Sequence, residues 1–153
     1  GSFDKRGFSK VQFMKLFDVG RLRVFDQELM SQENRELDKL YYIIDGNATV
    51  KCAEDGRTLG TITPHHFVGE MAFLVYYHDE KKDESTPCAK ASANVFANRM
   101  VHAWEWDARG LAEALKNDRD LSNAFTSYCS HDLRKKLLSA NAEGGVGQHK
   151  SEE

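Results

Sequence analysis

Apolar residues change their period twice along this chain. Phe13, Leu16 and Phe17 fall at the i, i+3, i+4 spacing of one helical stripe, and Gly20 follows as a stop. Ahead of them Ser9 and Gln12 have the spacing of a capping box, with Phe8 and Phe13 at the staple positions, so a first helix is predicted from Ser9 to about Val19. From Arg21 to about Trp106 the pattern shortens into strands punctuated by turn residues. Leu40-Tyr41-Tyr42-Ile43-Ile44 is aromatic and β-branched, Asp45-Gly46 turns it, Ala48 to Ala53 alternates again, and Glu54-Asp55-Gly56 makes the next hairpin. After Asp107, a good N-cap, helical spacing returns in Leu111, Ala114 and Leu115, and again in Leu121, Phe125, Cys129, Leu133 and Leu137.

The predicted order is one helix, about eight short strands and at least two closing helices: a mainly β fold with flanking helices. From Asn141 onward the chain carries Gly144-Gly145, Gly147 and Ser151-Glu152-Glu153 without apolar anchors, and residues 141–153 are expected to form a mobile tail. Gly1-Ser2 reads as the scar of a cleaved tag on an N-terminal segment, 1–7, which leaves 8–140 as the folded unit.

Composition narrows the functional classes. A length of 153 residues suits one domain with a real core. Lys and Arg number 21 against 24 Asp and Glu, so there is no broad positive field for a nucleic-acid backbone and no nucleic-acid partner is expected. Cys52, Cys88 and Cys129 are scattered and odd in number, which argues against a disulfide framework or structural zinc and for a reducing, cytoplasmic-side location. No apolar run approaches the roughly 20 residues of a membrane-spanning helix. The chain does not open on Met, so a fragment of a longer protein is expected.

At this point the residues themselves resemble the cyclic-nucleotide-binding-domain superfamily. In that family the second strand and its turn read roughly G-E-x-L-x-x-x-G-x-x-x-D-x-L-Y-x-I-x-x-G. Gln27-Glu28-Leu29-Met30, Asn34, Asp38, Leu40-Tyr41, Ile43 and Gly46 keep that spacing without a gap, Asn34 replacing a glycine at a position Asn tolerates. Phe67-Val68-Gly69-Glu70-Met71-Ala72-Phe73-Leu74 is similar to the first half of the phosphate-binding cassette, F-G-E-x-A-L, with Val68 inserted. The resemblance implies a β-jelly roll (double-stranded β-helix) with one N-terminal and two or more C-terminal helices. It also implies that Glu70 would accept a ribose hydroxyl and that backbone N–H groups behind Gly69 would hold a cyclic phosphate. The alternative is that Gly69 only makes a tight turn and Glu70 caps the little helix.

The second half of the cassette, R-x-A-x-V-x-A, aligns with Ala91-Ser92-Ala93-Asn94-Val95-Phe96-Ala97, which puts Ala91 at the phosphate arginine. Lys90 is expected to face away, because neighbours on a strand point to opposite faces. A second register, on Pro87-Cys88, also lacks the arginine. Between the halves lies an insertion, Val75 to Ser85, whose Lys81-Lys82 could reach an anion but more often would mark a solvated loop tip. The implied ligand-contacting set is Phe67, Gly69, Glu70, Met71, Ala72, Ala91 and Ser92.

A missing arginine with A-S-A-x-V and F-V-G-E-M-x-F-L, together with the opening Phe8-Ser9-Lys10-Val11-Gln12-Phe13-Met14-Lys15-Leu16, resembles a bacterial-type, Popeye-related branch. Members of that branch commonly place membrane helices before this domain, so a full-length protein anchored through a preceding region and a homodimer are among the expectations. The D-S-P-E and F-Q-V-T motifs of Popeye pockets do not occur here. The implied role is a regulatory sensor for a cyclic nucleotide or other small anion, with weak, non-standard or absent binding; the alternative is a ligand-free interaction module.

Enzymatic readings find little support in the residues. Pro64-His65-His66-Phe67-Val68-Gly69-Glu70 partly mimics the H-x-H-x-x-x-E ligands of a cupin, yet adjacent histidines on a strand would point apart, so no metal is expected. Cys129-Ser130-His131 has the wrong spacing for a nucleophile pair on a helix, and Cys129 is expected in the core. His102 is expected to be packed and hydrogen-bonded beside Trp104 and Trp106.

Overall fold

The computed structural model describes residues 10–152, with side chains described through position 136 of the last helix. The capping box of Ser9 with Gln12 and the Phe8–Phe13 staple lie outside the described residues. The described part of the first helix, α1, runs Lys10–Asp18. It is docked by Leu16, which is 1% exposed and whose carbonyl accepts from Trp106 Nε1 at 2.9 Å.

Eight strands follow: β1 Gly20–Phe25, β2 Leu29–Ser31, β3 Lys39–Asp45, β4 Ala48–Lys51, β5 Thr58–Ile62, β6 Phe67–Val68, β7 Asn94–Ala97 and β8 Val101–Asp107. An eight-residue helix, α2 (Glu70–Tyr77), interrupts them, and α3 (Ala108–Lys116) and α4 (Arg119–Glu152) close the chain. The strands form two antiparallel four-stranded sheets, ordered β1-β8-β3-β6 and β2-β7-β4-β5, the arrangement of a jelly roll.

Period-two alternation divides β3 between two cores. Tyr41 and Ile43 point into the roll with Val68, Val95, Val101 and Ala103, while Leu40 and Tyr42 face the helices with Phe67, Trp106, Leu111 and Phe125. Gly46 and Gly56 take positive φ at the two turns expected there. Asn34 sits at φ 64, as its place opposite a family glycine implies, and Gln27 also sits at φ 52. Asp107 caps α3 by accepting from the Gly110 N–H at 2.9 Å. Cys129 is fully buried in the helix-side core.

Two details depart from the sequence reading. Residues 75–77 belong to α2, so the insertion starts later than expected. His102 Nδ1 is buried without a hydrogen-bond partner and lies 3.9 Å from Asp45 Oδ2, so the histidine is packed but that nitrogen is not bonded.

Candidate functional site

The site begins at a glycine. Gly69 ends β6 and starts α2 at φ 93, in the left-handed region that disfavours side chains. A Cβ there would stand 2.6 Å from the end of the Leu37 side chain, which can shift, so it is the left-handed conformation that calls for glycine. This turn sends Glu70 into the first turn of α2 and buries it to 3% exposure.

Around it lies a cavity of about 730 Å³, bounded by β4 and β5, the start of α2, the 91–95 segment and α4. Gly69, Glu70, Met71, Ala72, Ala91 and Ser92 all line it. Phe67 does not; fully buried, it packs edge-on against Phe125 and Tyr128 of α4, with ring centroids 5.7 and 5.4 Å apart. Leu37, Ala72 and Ala91 form a small apolar cluster on the wall. Among the described residues no arginine lines the cavity; its cations are Lys135 and Lys136. Lys90 is exposed and off the wall. Lys82 folds back on the end of α2, donating to the Tyr77 and Asp79 carbonyls at 2.7 and 3.2 Å, where a cation suits the helix C-terminus.

Two residues that the sequence reading did not single out complete the site. Lys136, on α4, donates to Glu70 Oε1 at 2.6 Å and to the Phe67 carbonyl, and lies 3.3 Å from Asp132 Oδ2. Asp132, 5% exposed, accepts from the Phe67 N–H at 3.0 Å and lies 2.5 Å from His66 Nδ1. The i, i+4 spacing of Asp132 and Lys136 was visible in the sequence; their partners, more than sixty positions away, were not. Burial pushes the Glu70 carboxyl above its ordinary range, and the neighbouring Lys136 ammonium offsets this only in part.

The metal alternative fares differently from its sequence argument. His65 is not on a strand but in a turn at φ 71, while His66 faces Asp132. Among the described residues no group of three or more His, Cys, Asp or Glu is placed to hold a metal ion.

Two sheets rolled around an apolar core, with a cavity walled by the β2-β7-β4-β5 sheet, the glycine-started helix and the long closing helix, define a helix-capped β roll. The model of the cyclic nucleotide-binding domain family matches residues 23–118, and the chain belongs to that family. Solved structures agree on the fold. A cyclic nucleotide-binding domain from Methylobacillus flagellatus KT superposes with TM-score 0.73 at 17% identity, over 89% of this chain and 72% of that one. The catabolite activator protein of Thermus thermophilus gives 0.65 at 15%, over 90% and 61%. A structure of Sp-2Cl-cAMPS bound to PKAR CBD2 gives 0.60 at 20%, over 92% and 82%. A search of characterised proteins by sequence found no match. Among the described residues, no helix is long and apolar enough to cross a membrane.

Proposed function

We propose that this domain is a regulatory sensor whose cavity admits a cyclic nucleotide or another small anion, with weak or absent binding of cyclic AMP and cyclic GMP. The observation that carries the reading is Glu70 at the glycine-started turn of α2, lining the same cavity as Ala91. The first supplies a carboxylate for a ligand hydroxyl; the second supplies no guanidinium. A charge-assisted contact to phosphate contributes about 1.5–3 kcal/mol, so its absence weakens binding by roughly one to two decades. Lys82, committed to the end of α2, does not replace it. The domain then acts through ligand-dependent contacts of its helices rather than by catalysis.

The same residues favour placement in a Popeye-like branch of the family. Self-association and attachment to a membrane through a preceding region belong to this reading, on the strength of the F-V-G-E-M and A-S-A-x-V resemblance alone. To test the site itself, cyclic AMP at millimolar concentration is added to isotope-labelled protein. Amide resonances of Gly69 to Ala72 and of Ala91 and Ser92 should shift, with β1 unchanged; shifts confined to other surfaces would remove the cavity from the account.

A further inference from the structure

An ammonium group has three hydrogens, and three acceptors surround that of Lys136: the Phe67 carbonyl, Glu70 Oε1 and Asp132 Oδ2. The first two belong to β6 and the start of α2, and the third to the lysine's own helix. Asp132 adds a second tie by accepting the Phe67 N–H. The later described part of α4 is thereby held across the cavity by polar contacts to β6 and α2. Its earlier part is held differently, by Phe125 and Tyr128 packed on Phe67.

Glu70 and Lys136 both line the cavity, so an incoming ligand meets the pair and not a free carboxylate. We propose that Lys136 is a built-in competitor for the cassette carboxylate: a ligand hydroxyl that takes Glu70 displaces Lys136 and releases the 132–136 segment of α4. The proposal rests on the reading of the cavity as the ligand site. It gives a direction to the coupling, because the ligand works against a latch. Apparent affinity is lowered by the fraction of molecules in which the latch is closed, and the ligand's surplus for the open form is what moves the helix.

The test has two arms on the same proteins: the unmodified domain, Lys136→Met, Glu70→Gln, and the double variant. In hydrogen exchange, Lys136→Met should speed amides 130–136 by about fivefold or more with β8 amides unchanged, since a local opening exposes only its own segment. The double variant, which removes the Glu70 carboxylate together with the ammonium and leaves Asp132 its contacts to His66 and the Phe67 N–H, should match the single variants rather than sum them. In calorimetry with cyclic AMP as the probe, Lys136→Met should bind about three- to tenfold more tightly than the unmodified domain. Unchanged α4 exchange, an equal acceleration in β8, or additive effects in the double variant would overturn the latch. Equal or weaker cyclic AMP binding by Lys136→Met would overturn the competition. Cyclic AMP binding undetectable in every variant would overturn the competition for a cyclic-nucleotide hydroxyl and leave the cavity to another small anion, while the exchange arm decides separately whether Lys136 holds α4.

Discussion

Glu70 lies 3% exposed beside the Lys136 ammonium, with Asp132 and, through it, His66 as the further titratable neighbours. Its folded pKa is raised chiefly by burial, so the sign of its contribution follows directly. Below the ordinary glutamate value of 4.5 both folded and unfolded chains hold the proton. As pH rises from there to the folded value, the folded chain retains a proton the unfolded chain has lost, and stability falls across that window. Glu70→Gln does not titrate at this position. Denaturant midpoints of the two proteins from about pH 4 to about pH 8 should therefore show the unmodified domain losing stability relative to the variant as pH rises. A relative gain with pH would mean that the pairing with Lys136 outweighs burial. Among single residues, Asn34 was legible in advance, because its family counterpart is glycine and Asn tolerates the left-handed region. The Lys136 and Asp132 partnership was not, because it is made only when α4 comes to rest on β6.

At the level of elements, the signals that could be read were those written locally. Asp107 announces α3, and the observed bond to Gly110 is what an N-cap provides. Asp107→Ala should cost about 1 kcal/mol in chemical denaturation with the denaturant slope unchanged. The exposed contact to Lys39 at 3.3 Å adds little to this. A loss near zero would show that solvent satisfies the helix start as well as the carboxylate does. The break between α3 and α4 was legible in kind but not in detail: Asp118 accepts the Leu121 N–H at 3.0 Å and marks the second start. The end of α2 was misplaced because Glu70–Tyr77 is apolar over most of its surface and has no polar face to set a period. The two-residue β6 has too little sequence to show alternation, and only its pairing with Tyr41 and Tyr42 defines it.

Across the whole molecule, the order helix, strands, helices and the two tight turns were enough to foresee a mainly β fold with flanking helices, since each follows from periodicity and turn chemistry within a few residues, and the family resemblance made it a roll. The cavity's chemistry was half legible. The cassette turn and the apolar Ala91 were read from the family resemblance, whereas the cations on its wall come from a helix that begins almost fifty residues after Glu70. On the proposed reading, the fold keeps the carboxylate of a ligand site, has Ala91 where the resemblance puts an arginine, and sets a lysine of its own against that carboxylate. The most direct test is a calorimetric titration of cyclic AMP into the unmodified domain and into Ala91→Arg side by side. Binding weaker than about micromolar in the first and about tenfold or more tighter in the second is the result the account requires. Sub-micromolar binding by the unmodified domain, with no gain from Ala91→Arg, would contradict it.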